Sequence, residues 1–316
     1  MKYGFGVDIG GTTVKLAYFD ETGTLLEKWE IPTVVEDGGS RILPDIAASI
    51  RRYLDQNGIG DEDILGIGVG VPGPVDEAGN VNKCVNLGWG VFNIHEVLGG
   101  LTGLPVKAGN DATVAALGEC WRGGGQGCRN MVMATLGTGV GSGIIVNGTV
   151  VYGAHGAGGE IGHMVFDRTE TEPCGCGKRG CVEQYCSATG IVRLAKRFLE
   201  KEDAPSVLRQ STALTCKDVF DAGKANDALA LQILEQVYDH LGEFLANVCC
   251  VVDPEVVVLG GGVSKAGNVL LTGAKRYFDR YVFHAARGVR FALAALGNDA
   301  GAYGAFKLVL DSLDGK

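Results

Sequence analysis

An apolar strand breaks at Gly10-Gly11-Thr12-Thr13 and resumes over residues 14–19, which reads as a β-hairpin on a glycine-rich turn. The same device returns at Met131–Leu136, where Gly137-Thr138-Gly139-Val140-Gly141 separates two apolar runs, the second over residues 144–146. A chain that opens two of its segments with the same hairpin points to a duplicated body of two α/β lobes. The intervening pattern agrees. Ile42, Ile46, Ile50 and Leu54 recur at helical spacing until Asn57-Gly58, and an almost wholly apolar strand, Ile64–Val71, stops at Pro72-Gly73-Pro74. A helix over 111–121 is introduced by Asn110. Further on, helical periodicity covers 188–199 and a long stripe from Leu229 to Val248. A β-branched strand over 255–259 runs into Gly260-Gly261-Gly262, and Ala300–Leu313 closes the pattern as a helix. Strands followed by helices, twice over, predict mixed α/β lobes rather than a simple alternating doubly wound sheet.

Glycine makes up 51 of the 316 residues, more than double the ~7% average. With no Gly-x-y period, that excess predicts tight turns and close approach of backbone to a ligand. The formal charge of −9 opposes attraction to nucleic acid or an anionic membrane surface. No run approaches the ~18 apolar residues of a membrane span, and no secretory leader is legible, so a cytoplasmic protein is expected. Ten cysteines, three of them crowded between Cys174 and Cys181, fit reduced thiols better than a disulfide scaffold.

Asp8, Gly10, Gly11, Thr12 and Thr13 set a carboxylate at a strand end, then two residues without side chains, then two hydroxyls. Backbone N–H groups reach an anion only where no Cβ intrudes, and a carboxylate at that point can hold Mg²⁺ through water. One such loop is an ordinary turn. Three, counting Gly137, Thr138 and Gly139 and then Gly260, Gly261 and Gly262, predict a nucleotide site. Asn110-Asp111 at a strand-to-helix junction reads either as a helix cap or as a cap followed by a general base. Asn298-Asp299, before the closing helix, looks the same locally and leaves that choice open.

His163, Cys174, Cys176 and Cys181 form His-x10-Cys-x-Cys-x4-Cys in a glycine-rich stretch, a set suited to tetrahedral Zn²⁺. Four protein ligands leave no position for water, so the metal would be structural; His155 and Cys186 are the fallback ligands. Glu160 and Glu183 flank this set, and carboxylates and imidazole suit the hydroxyls of a sugar. Asn86, near Trp89, is a further candidate for a polyol. His95, His240 and His284 are expected to be structural.

Taken together these segments resemble the ROK family of sugar kinases and repressors, most closely its ATP-dependent glucokinases, over nearly the whole chain. Asp8 to Thr13 is similar to the family's first phosphate loop, Leu136 to Gly141 to its second and Leu259 to Gly262 to its adenosine loop. Gly159 to His163 and Cys174 to Glu183 resemble its sugar and zinc signature. The resemblance implies an actin-like, ribonuclease H-like two-lobed fold with an interlobe active-site cleft. Residues 1–122 would form the N-terminal lobe with the first phosphate loop. Residues 123–316 would form the larger C-terminal lobe with the second loop, zinc site and adenosine loop, the final helix being a candidate to pack back on the N-terminal lobe. It further implies ATP, Mg²⁺ and structural Zn²⁺, a homodimer or homotetramer, Asn110 as a sugar ligand and Asp111 as the catalytic base. The expected reaction is phosphorylation of glucose at its C6 hydroxyl. N-acetylmannosamine, N-acetylglucosamine and fructose are the alternative sugars. Family repressors carry a helix-turn-helix ahead of the phosphate loop, whereas Asp8 comes at once here, so a non-catalytic sugar-sensing repressor is the less expected reading.

Overall fold

The computed structural model describes residues 1–315. The chain begins with strands β1 (Tyr3–Ile9), β2 (Thr13–Asp20) and β3 (Leu25–Pro32), a single turn α1 (Glu36–Gly39) and helix α2 (Ile42–Asn57). Strands β4 (Ile64–Val71), β5 (Asn80–Cys84) and β6 (Trp89–Asn93) follow, then α3 (Ile94–Thr102), β7 (Val106–Asn110) and α4 (Asp111–Arg122). Next come β8 (Met131–Leu136), β9 (Val140–Val146), β10 (Thr149–Val150), the short α5 (Glu183–Cys186), α6 (Ala188–Lys201), α7 (Cys216–Lys224) and α8 (Ala228–Val252). The chain closes with β11 (Val256–Gly260), α9 (Asn268–Tyr281), β12 (Arg290–Leu293) and α10 (Ala300–Leu313).

Two compact units result, the first from residues 1–129, 143–159 and 295–316 and the second from 130–142 and 160–294. In the first, β3-β2-β1-β4-β7 form one sheet, antiparallel across β1, β2 and β3 and parallel from β1 through β4 to β7. The strand order of the other sheet, β10-β9-β8-β11-β12, repeats this plan, with β8, β11 and β12 parallel. Both expected hairpins form. The second strand of the later one starts at Val140, four residues before the apolar run, because Gly141 and Gly143 are carried within it.

In the first unit, α2 buries Ile42, Ile46, Ile50 and Leu54 in a core with Phe5, Val7, Ile67 and Val69. Gly58 stops the helix in the left-handed region (φ 64°), where a side chain would be strained. On another face, α10 lies so close to β1 and β4 that a Cβ at Gly6 would come within 2.0 Å of the Ala302 carbonyl oxygen, and one at Gly68 within 1.7 Å of that of Ala305. Part of the glycine excess therefore serves helix-on-sheet packing, not ligand approach, which corrects the compositional reading. The contact is sealed by Phe19 and Phe306, stacked with centroids 4.9 Å apart, an arrangement worth ~0.5–1.5 kcal/mol beyond area burial. No helix among the described residues is long and apolar enough to cross a membrane.

Candidate active site

Antiparallel register sets Asp8 directly opposite Lys15, and the Lys15 ammonium lies 3.7 Å from its carboxylate while donating to the Asn298 carbonyl at 3.2 Å. Burial raises the Asp8 carboxyl above its ordinary range, and Lys15 pulls it back. A largely buried carboxylate with one loosely placed cation can accept a second positive charge, which suits a divalent ion. The turn after it is closed by the Gly10 amide donating to the Thr13 carbonyl at 2.9 Å. Thr33, just past β3, ties the turn from outside: its hydroxyl donates to the Gly10 carbonyl at 2.7 Å and its amide to the Thr12 carbonyl at 2.9 Å.

Asn110 ends β7 beside Val71 of β4, and its side-chain oxygen accepts the Thr113 amide at 3.2 Å, capping α4. Its Nδ2 donates to the Gly73 carbonyl at 3.2 Å, strapping the cap to the loop that ends β4. Asp111 is the first residue of α4, half-buried, with Oδ1 accepting the Ala112 amide at 2.8 Å. A carboxylate there gains from the helix dipole, and a group of this type can accept a proton. The look-alike pair separates cleanly: Asp299 makes no capping bond and instead pairs with Lys28 at 2.8 Å. Asn86 is exposed on a turn over Val85–Leu87, and Trp89 is packed, its indole N–H donating to the Gly39 carbonyl at 3.1 Å. His95 is structural, its Nε2 accepting the Ala108 amide at 3.0 Å.

In the second unit the loop after β8 is held at several points. The Gly137 amide donates to the Gly139 carbonyl at 2.9 Å, the Ala188 amide to the Gly137 carbonyl at 2.8 Å, and the Thr189 hydroxyl to the Thr138 carbonyl at 2.7 Å. Glu183 takes the Val140 amide on Oε2 at 3.0 Å, so close to Gly139 that a Cβ there would meet that oxygen at 2.1 Å. Gly261, after β11, has φ 79° and passes against the backbone of Leu136.

His163, Cys174, Cys176 and Cys181 bring their ligand atoms within 4.8 Å of one another. The Cys176 and Cys181 sulfurs are 3.6 Å apart, and Cys174 Sγ lies 3.8 Å from His163 Nδ1. A tetrahedral ion with metal–sulfur bonds of ~2.3 Å would set its thiolates ~3.8 Å apart, so the four residues fit such an ion. Nδ1 faces the thiols, so an ion bound through it would leave the ring proton on Nε2. The fallback ligands His155 and Cys186 lie outside this group. Glu160 is exposed just ahead of it, and the other oxygen of Glu183 lies 3.5 Å from Cys174 Sγ. One carboxylate thus touches both the thiol cluster and the glycine loop.

Behind the cluster sits a polar knot that the sequence did not announce. Glu170, its side chain only 2% exposed, meets Arg193 at 3.0 Å, Arg197 at 2.9 Å and the Tyr185 hydroxyl at 2.8 Å. The Arg197 guanidinium outweighs burial and, with the Glu172 amide and Tyr185, holds this carboxyl far below its ordinary 4.5. Glu170→Ala removes the buried partner of Arg193 and Arg197, leaving the exposed Glu172 as their carboxylate partner, and is expected to cost about 2 kcal/mol, read as a fall in the midpoint of urea unfolding. Because the folded-state value is depressed, the carboxyl's contribution is complete above about pH 4.5 and drains away as pH falls below that. The wild-type stability lost on acidification should therefore shrink in the variant.

The model of the ROK family matches residues 4–312, and the chain belongs to that family. Its fold is the α/β, actin-like class of ROK sugar kinases. A glucokinase from Halalkalibacterium halodurans is 44% identical over 309 residues, covering 96% of this chain and 94% of the relative. Among solved structures, a ROK hexokinase from Thermus thermophilus superposes with a TM-score of 0.80 at 31% identity, covering 99% of this chain and 100% of that one. A ROK family glucokinase from Streptomyces griseus in complex with glucose and AMPPNP gives 0.75 at 31% identity, covering 97% and 98%.

Proposed function

We propose that the protein is an ATP-dependent glucokinase that transfers the γ-phosphoryl group to the C6 hydroxyl of glucose. The observation that carries the reading is Asp111, a carboxylate fixed at the first position of a capped helix, in a chain 44% identical to a glucokinase. Phosphoryl transfer asks little covalent chemistry of a protein; it asks for positioning, charge stabilisation and one proton acceptor. Asp111 takes the proton as the C6 oxygen attacks. Asn110 and Asn86 are assigned to sugar hydroxyls in the first unit, and Glu160, His163 and Glu183 in the second. Gripping the sugar by hydroxyls remote from C6 converts a random encounter into a fixed approach.

The triphosphate is assigned to the loop of Gly10, Gly11, Thr12 and Thr13 in the first unit and to that of Gly137, Thr138 and Gly139 in the second; the amides of Gly10 and Gly137 close these turns, so the donors are the amides that follow them. Gly260, Gly261 and Gly262 are assigned to the adenosine. Asp8 would hold Mg²⁺, which neutralises charge on the phosphates when bound. Zn²⁺ held by His163, Cys174, Cys176 and Cys181 would be structural, fixing His163 with Nε2–H as donor. A coupled assay with ATP and a panel of glucose, fructose, N-acetylglucosamine and N-acetylmannosamine tests the reading. The highest kcat/KM is expected for glucose, and ATP consumption with none of the four would overturn it.

A further inference from the structure

The two loops assigned to phosphate carry, beside their amides, carbonyl oxygens that phosphate repels. A tight turn of glycines exposes carbonyl oxygens as readily as amides, and an anion is held only if the carbonyls are turned away and kept there. In this chain each loop is tied by a threonine outside its own motif. Thr33 gives its hydroxyl to the Gly10 carbonyl at 2.7 Å and its amide to the Thr12 carbonyl at 2.9 Å. Thr189 gives its hydroxyl to the Thr138 carbonyl at 2.7 Å, and the neighbouring Ala188 amide takes the Gly137 carbonyl at 2.8 Å. With the Gly137 amide occupying the Gly139 carbonyl, three consecutive carbonyls of the second loop are engaged, while the amides of Thr138 and Gly139 take part in none of these contacts. Thr189 is itself fixed: its hydroxyl lies 3.0 Å from that of Ser187, which caps α6 by accepting the Gly190 amide at 2.9 Å.

We propose that Thr33 and Thr189 are positioning residues for the nucleotide, each restraining carbonyl oxygens of one glycine loop so that the loop presents N–H groups to the phosphates. The proposal rests on the kinase reading above and deepens it. It explains why two hydroxyls with no catalytic chemistry of their own are committed to loop carbonyls at the same 2.7 Å distance in two loops built on one plan. A preorganised loop needs no reorganisation when the anion arrives, so loss of the restraint appears in nucleotide affinity and not in sugar affinity.

The test uses the full chain and calorimetric titration with AMPPNP in the presence of Mg²⁺, and separately with glucose. Thr33→Val and Thr189→Val keep the side-chain shape and remove the donor. Each is expected to raise the Kd for AMPPNP and the KM for ATP about 3- to 10-fold, the loss of one net hydrogen bond, with the Kd for glucose held at its wild-type value. Thr33→Ser and Thr189→Ser restore the donor and should recover most of the affinity. Valine variants that bind AMPPNP as the wild type does, valine variants that lose glucose and nucleotide affinity equally, or serine variants that fail to recover would each overturn the proposal. A wild-type chain that takes up no AMPPNP would remove the kinase reading itself, and this proposal with it.

Discussion

Asp111→Asn should leave glucose affinity within a few-fold of wild type while kcat falls by about 10²–10⁴, the usual worth of a positioned general base. The substitution keeps volume and the acceptor that receives the Ala112 amide, so α4 begins as before. What it removes is the ability to take up a proton. If Asp111 merely helped to start the helix, Asn would substitute nearly without loss, since Asn and Asp are comparably good at helix starts. Turnover within a few-fold of wild type, with glucose still bound, would dismiss the base. Asp299→Asn is the matched control: it weakens an ion pair with Lys28 on the surface and should leave kcat unchanged.

Protein purified without chelator should carry about one zinc per chain by elemental analysis, and Cys181→Ser should carry almost none. Burial, followed by the neighbouring Cys176 and Cys174 thiols, pushes the Cys181 thiol up to about 12, so a cation must displace its proton to be bound. Uptake therefore releases protons, and affinity should weaken as pH falls. Structural zinc contributes ~10–16 kcal/mol of folding free energy in isolated zinc-finger peptides, so stripping it should loosen the segment from Glu160 to Cys186 rather than trim activity slightly. The expected signs are cleavage inside that segment by dilute protease and loss of glucose binding. Full zinc content in Cys181→Ser, or its absence from the wild type, would dismiss the site.

Local pattern made much of this molecule legible. The hairpin around Gly10 to Thr13, the arrest of α2 at Gly58 and the convergence of His163 with three cysteines each depend on residues near one another in sequence, where spacing translates directly into geometry. Asn110-Asp111 and Asn298-Asp299 show the limit, because what separates them is Lys28, far along the chain. No role for Thr33, Thr189 or Glu170 was legible for the same reason: each lies in the partner the residue meets, 23, 51 and 27 positions away at Gly10, Thr138 and Arg197. Glycine misled in a different way. A missing Cβ means close approach, but composition does not say of what, and in β1 and β4 the neighbour is α10.

The first unit is assembled from three separated stretches, and α10, the latest of them to be translated, supplies Phe306 and Val309 to the cluster around Phe19. During synthesis this unit must wait with a sheet face bare, although β1 precedes every other element of both units, whereas residues 160–294 have all emerged before α10 appears. The order of maturation thus runs against the order of translation, and a ribosome stalled before Ala300 would display an uncovered apolar surface for chaperones to hold.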